Sequence, residues 1–351
     1  MNPEELKKAR NKLKKNKIQN NCEKPTFNMM TEEDLSQFQK EQLDINIEEW
    51  LDLIPEFTFK TEYYPLPMEL GKLFMEAYET RQKTGKITEE IEEKLKEYAN
   101  SIQKVIERVK EDSDGVFIKS SSRSAKDSVI YETKFKDNYR TNFLKLENNE
   151  NNKLISLLIT GMALLKTKDA YQMLQLWTQS ERIYQDMIVA TKFPDRFNEH
   201  FAVRKWQDME VDMEFRAFVY DGHLTAISQY NHFCYFPRLL EMKEKLQNLM
   251  VTFWKENLRD KLHKKFPEYV VDFCIVGENY DKVMVIELNP FKYTTDSALF
   301  SWEKERKSIL TNPEQFEFRL VKSVRSGSKS LISSSWRKVM DEVDEELKNK
   351  K

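Results

Sequence analysis

The stretch from Tyr269 to Asn289 constrains the fold more than any other part of the sequence. Two arms, Tyr269–Val276 and Lys282–Asn289, are rich in valine and isoleucine and are joined around Asn279-Tyr280. Residues of this kind suit a pleated, buried surface. Strand side chains alternate between faces. Val271, Phe273 and Ile275 therefore share one face, and Met284, Ile286 and Leu288 make the matching apolar face of the partner arm. The opposite faces carry Asp272 with Cys274, and Glu287 with Asn289. A turn symmetric about Asn279-Tyr280 puts Asp272 directly across from Glu287.

Two carboxylates facing each other across a ladder repel. A divalent cation reverses that penalty, and an oxygen-donor patch beside substrate phosphates suits magnesium. Spacing alone leaves a second reading open, a solvated acidic face balanced by lysine. An earlier hairpin is similar in kind. Glu214–Tyr220 and His223–Tyr230 flank Asp221-Gly222, a strong two-residue turn signal. Its symmetry sets Glu214 across from Gln229 and Arg216 across from Ile227, with Glu214, Arg216 and Phe218 on one face. Arginine suits bidentate phosphate contacts, but an edge salt bridge explains the same residues. Lys119 ends a short strand, Gly115–Lys119, and opens the polar loop Ser120–Asp127. There it can act as a point charge for phosphates. Arg204-Lys205-Trp206 closes another strand candidate, Phe201–Trp206, where the indole can pack on a base or in the core.

Glycine usage narrows the nucleotide options. Only seven of 351 residues are glycine, and no two lie within five residues of each other. A P-loop needs two at fixed spacing and a dinucleotide fingerprint needs three, so neither can be written here. The 57 basic and 59 acidic residues give a net charge of −2, which argues against a general nucleic-acid binder. The three cysteines, Cys22, Cys234 and Cys274, have no C-x-x-C spacing and support neither a disulfide framework nor a zinc site. None of the four histidines has metal-ligand spacing. With no apolar signal region and no 18-residue apolar run, a cytoplasmic monomer without a membrane partner is expected.

Residues 1–45 read as a charged tail, disordered or a frayed helix. Helical spacing marks Glu89–Lys110, about 153–165, about 168–178 and the stretch from Glu181. A charged amphipathic helix is expected over about 239–265, and another over 331–351 that ends in a charged tail. Helices first and antiparallel strands later give an α+β class, with lobes over 46–200 and 201–330.

In order along the chain, these pieces resemble the cell division cycle protein 123 family. The resemblance rests on Phe117-Ile118-Lys119 with Ser121–Asp127, on Leu176–Met187, and on Val203–Trp206. It continues through Glu214–Val219, Ile227–Tyr230 and Val271-Asp272-Phe273 to Ile286–Phe291 and Thr294–Trp302. It implies an ATP-grasp-like fold of two lobes, with antiparallel sheets and flanking helices, that binds ATP and Mg2+ between the lobes. Lys119 would lie near the phosphates, and Arg204, Lys205 and Trp206 would border the adenine. Glu214 and Arg216 match an E-F-R motif with the arginine toward phosphate. Asp272, Glu287 and Asn289 match the metal-binding positions, and Asp272 is counted with the ATP ligands as well. Ser121–Ser124 reads S-S-R-S where the family has L-N-W-S, which places the chain nearer a divergent branch, and three further positions depart from the pattern. Glu287 stands for a usual aspartate, Tyr230 for a usual arginine and Ala125 for a usual proline. Family members resemble assembly chaperones of eukaryotic translation initiation factor 2 that bind its gamma subunit, which implies that partner here. The alternative is an ATP-grasp ligase or kinase acting through an acyl phosphate.

Overall fold

The computed structural model describes residues 31–349. It is an α+β protein built on two sheets. The first has strands β1 (Thr61–Pro65), β2 (Val116–Ser120), β3 (Lys166–Thr167) and β4 (His200–Lys205), in the order β1-β4-β2-β3 and all antiparallel. The second has β5 (Glu214–Tyr220), β6 (His223–Gln229), β7 (Tyr269–Val276), β8 (Lys282–Asn289) and β9 (Glu317–Arg319). Its order is β8-β7-β5-β6-β9, antiparallel except where β9 joins β6. The expected lobe boundary at 200/201 falls inside β4, which is an inner strand of the first sheet.

Helix α1 (Glu32–Leu43) opens the described chain with a capping box between Thr31 and Asp34. Residues 1–30 of the expected tail, with Cys22, lie outside the described residues. Helices α2 (Met68–Thr84) and α3 (Glu89–Lys110) follow β1. Thr88 caps α3 by accepting the Ile91 amide at 3.3 Å, and three glutamates fill its first turn. Ile91, Leu95, Ala99, Ile102, Val105, Ile106 and Val109 make one buried stripe of α3, which packs against β1, β2 and β4. Leu95 is fully buried, so Leu95→Ala would cost about 2–5 kcal/mol.

Helices α4 (Phe135–Phe143), α5 (Glu150–Ala163), α6 (Ala170–Trp177) and α7 (Glu181–Lys192) separate β2 from β4. The larger core joins α4 and α5 to the apolar face of the second sheet. It also takes in α8 (Lys243–Phe253) and α9 (Ser334–Asn349). The helix expected over 239–265 is broken into pieces, with a π-helical turn at Trp254–Leu258.

The Asp221-Gly222 turn forms as expected, with φ of 48° and 67°. Positive φ at both central residues is the type I′ requirement that asparagine, aspartate and glycine meet. Each long hairpin also carries a bulge. In β5–β6 the register shifts between Phe218 and Val219, and Arg216 pairs with Ser228 instead of Ile227. Glu214 lies beside Tyr230 through a 3.1 Å backbone bond, one residue on from the expected Gln229. In β7–β8, Phe273 pairs with Val285 while Asp272 pairs with Glu287, so Ile286 is the extra residue. Val283 and Val285 therefore join Phe273 and Ile275 in the main core, and Met284 and Ile286 face the other side with Cys274 and Val276. This reverses the expected side for Met284 and Ile286, while Leu288 stays with the core beyond the bulge.

Candidate functional site

The second sheet brings four expected residues together. Arg216 on β5 lies opposite Asp272 on β7, which lies opposite Glu287 on β8. Arg216 grips Asp272 with two parallel bonds, Nε to Oδ1 at 2.8 Å and Nη2 to Oδ2 at 2.7 Å. Its Nη1 donates to the Asp296 carbonyl at 2.8 Å. Asn289 Nδ2 donates to Asp272 Oδ2 at 3.1 Å. The bulge at Ile286 makes this patch possible. Without it, the pairing of Phe273 with Val285 would run on to set Ile286 opposite Asp272 and turn Glu287 toward the core.

The first sheet contributes across the lobes. Lys119 ends inside β2, and its Nζ donates to Glu287 Oε2 at 3.0 Å. Arg204 on β4 is buried and does not reach the carboxylates. Its Nη1 donates to the Ile286 carbonyl at 2.6 Å and its Nη2 to Thr58 Oγ1 at 2.7 Å. Thr58 Oγ1 in turn donates to the Val285 carbonyl. Arg204 thus clamps the bulge, and burial lowers its pKa to about 10. Lys205 and Trp206 lie at the rim. Lys205 pairs with Glu111 at 3.4 Å, and Trp206 Nε1 donates to Asp208 at 2.7 Å.

Between the sheets lies a cavity of about 620 Å³. Lys119, Arg204, Lys205, Trp206, Glu214, Arg216, Glu287 and Asn289 all line it. Asp272, 0 % exposed, stands behind that wall. Phe59, Phe117, Met209 and Ile286 give part of the wall an apolar character, and Phe38 of α1 and Trp336 of α9 close it from the two ends of the described chain. Seven lysines and arginines face it, against four aspartates and glutamates.

Three of those cations, Arg123, Lys126 and Arg182, are not among the expected site residues, and Arg123 is paired with Asp186. Lys126 Nζ donates to the Tyr230 hydroxyl at 2.7 Å, and Arg182 on α7 has a buried Nε without a partner. Neither makes an ion pair within 4 Å among the described residues, and both lie inside the family-like blocks Ser121–Asp127 and Leu176–Met187. Tyr230 also stacks its ring 4.9 Å from the Arg216 guanidinium. The signal that could have found them was their charge: both are cations on elements that border the Lys119 loop.

Electrostatics distinguish the carboxyls. Burial, aided by Asp272 and Glu287 against Lys126, pushes Glu214 up to about 8, so it is protonated at neutral pH. Burial also opposes a charge on Glu287, but Lys119 and Lys126 overcome it and hold that carboxyl well below its usual range. Arg216 stays charged despite burial because Asp272 faces it.

Among the described residues, no group of three or more His, Cys, Asp or Glu side chains is arranged as a cation cage. Magnesium seldom needs one. It takes one or two carboxylates and completes its shell with water and phosphate oxygens. Glu287 and Asn289 on the wall, with Asp272 directly behind them, supply hard oxygen donors of that kind, so the donor chemistry fits.

Two sheets facing a cation-rich cleft define a two-lobed α+β protein with a polar interlobe site. The D123 family profile matches residues 156–343, more than half of the 351, and the chain belongs to that family. This is the family anticipated from the order of the motifs. A translation initiation factor eIF2 assembly protein of Xenopus laevis is 31 % identical over 115 residues, 33 % of each chain. One of Dictyostelium discoideum is 35 % identical over 102 residues, 29 % of this chain and 26 % of its own. Cell division cycle protein 123 of Phaeosphaeria nodorum is 34 % identical over 143 residues, 39 % of this chain and 36 % of its own. These alignments span about a third of the relatives' length. The structure of Cdc123 from Schizosaccharomyces pombe superposes with a TM-score of 0.58 at 22 % identity, covering 81 % of this chain and 98 % of that one. That likeness concerns the fold.

Proposed function

We propose that the protein binds ATP with magnesium in the interlobe cavity and serves as an assembly factor for translation initiation factor 2, engaging its gamma subunit. The observation that carries the nucleotide part is the charge of the cavity. Seven cationic side chains against four acidic ones line it, although the whole chain carries −2. An excess of donors in a cleft of about 620 Å³ suits a polyanion of nucleotide size.

On this reading the work is divided by sheet. Lys119, Lys126 and Arg182 meet the phosphates as charges, and Arg216 stays fixed on Asp272 and orders the wall behind them. Trp206, Phe59 and Phe117 offer the apolar surface for the base, with Arg204 and Lys205 beside it. Glu287 and Asn289 on the wall would hold magnesium, with Asp272 behind them orienting Asn289, and the ion when bound would neutralise phosphate charge and orient it. Glycine scarcity agrees with a site that uses side chains, in an ATP-grasp-like manner, in place of a backbone cradle.

The partner part is supported by the names of the relatives, eIF2 assembly proteins matched over about a third of their length. Co-purification with isolated gamma subunit, with and without ATP and magnesium, tests it. Retention of the gamma subunit is the expected result. No retention, together with ATP turnover on an added acid and amine, would move the protein to the ligase or kinase class.

A further inference from the structure

A second, smaller pocket of about 250 Å³ is lined by Leu43, Asn46, Glu48, Glu49, Arg196 and Asn198, and is tied to the Ser120–Arg123 turn by the Ser121 hydroxyl, which donates to Glu48. It is below the ~300–1,000 Å³ typical of drug-sized sites, so its scale is that of a small metabolite. Three of its buried polar atoms have no partner: Asn46 Oδ1, Glu48 Oε2 and Arg196 Nη1. Buried polar groups are nearly always satisfied, so three orphans around one small space call for a common cause.

The residues themselves indicate which groups are missing. Asn46 is only 5 % exposed and stands at an N-cap, where its side chain would ordinarily accept a backbone amide. It makes no such bond. Glu48 accepts the Ser121 hydroxyl and lies 3.0 Å from His200 Nδ1 through Oε1, which leaves Oε2 free. Arg196 is oriented by the Phe193 ring at 4.5 Å and by Ser36 at 3.0 Å through Nη2, which leaves Nη1 free. Glu49 at the rim is already paired with Lys265. An arginine and a glutamate thus share one pocket without pairing with each other. Opposite charges held apart in this way are complementary to a ligand that carries both charges itself.

We propose that this pocket binds a free α-amino acid, with its ammonium on Glu48 and Asn46 and its carboxylate on Arg196. The ammonium supplies the donor that two acceptors lack, and the carboxylate supplies the acceptor that the guanidinium lacks. The site stands apart from the nucleotide reading and does not depend on it. The two are neighbours through Ser121, which bonds Glu48 and lies two residues beyond Lys119, and through Gln42 and Leu43, consecutive residues of α1 that line one cavity each.

Titration calorimetry of the full chain with the twenty free L-α-amino acids, and with their N-acetyl and amide derivatives, tests the proposal. At least one free amino acid is expected to bind at a single site. Its N-acetyl and its amide forms are each expected to bind at least about tenfold more weakly, because each removes one charge-assisted contact. Arg196→Gln is expected to weaken the free amino acid by a similar factor, roughly tenfold, and to leave the amide form unchanged. Binding of no amino acid with a Kd below about 10 mM, or equal binding of the blocked and free forms, would overturn the proposal and leave the three atoms to water. The blocked ligands decide the matter even if the Arg196 variant does not fold.

Discussion

Two ion pairs hold the interlobe site, and they differ in kind. Arg216–Asp272 lies within the second sheet, bidentate, with side chains 7 % and 1 % exposed. Lys119–Glu287 crosses from one sheet to the other by a single 3.0 Å contact, with its glutamate 24 % exposed. Two parallel bonds between adjacent strands fix direction as well as distance. One bond between sheets fixes only a separation, and an ammonium can exchange its partner for another anion. The first pair is scaffold, and the second is the contact that a ligand can replace.

Breaking the scaffold pair carries the largest expected effect. Asp272→Ala leaves Arg216 buried and charged without its partner, and is expected to lower unfolding stability by about 3–5 kcal/mol in urea titration. Asp272→Asn keeps the shape and should cost less. Near-equal stability of Asp272→Ala and the parent would show that the pair is not scaffold. Lys119→Ala should cost only about 1–3 kcal/mol, since Glu287 can rehydrate at the cavity wall. Its loss should be larger in ATP affinity than in stability, as calorimetry beside thermal melting can read. An unchanged ATP affinity would assign Lys119 to the scaffold with Arg216. Asn289→Ala removes one hydrogen bond to Asp272 and should cost about 1 kcal/mol, with the effect on ligand binding confined to titrations that contain magnesium.

The smallest expected effect concerns pH. Glu199 is 9 % exposed with an unpartnered Oε2, and burial, helped by Asp186 and Glu48, raises its carboxyl well above the usual range. A raised acid favours its protonated form in the folded state. Its contribution is therefore intact below the unfolded value of about 4.3 and is lost as pH climbs through the folded value. Glu199→Gln should raise the melting temperature at pH 7 and above and leave it unchanged near pH 4. A gain of equal size at both pH values would be contrary evidence.

The same contrast of regions explains what could be read from the sequence. Turns and stripes are local. Asp221-Gly222 and the spacing of Ile91 to Val109 announce themselves, and both form. Bulges are not local in that sense, because no residue type marks them and one extra residue flips every side chain beyond it. Symmetry about Asn279-Tyr280 found Asp272 opposite Glu287. It did so although the hairpin is not symmetric, and so it mislaid Met284 and Ile286. The Thr225 side of β6 moved Arg216 from Ile227 to Ser228 for the same reason. Cavity residues from remote elements, such as Phe38 and Trp336, carry no pattern that ties them to Lys119. β9 has three residues and runs parallel to β6, which leaves almost no alternation to detect.

Calorimetric titration of ATP into the full chain, with magnesium and with chelator, tests most directly the proposal that the interlobe cavity is a magnesium-dependent ATP site. Binding at one site is expected, tighter by at least about tenfold with magnesium, with loss of that magnesium effect in Glu287→Gln. Absence of ATP binding, or one affinity under both conditions, would contradict it.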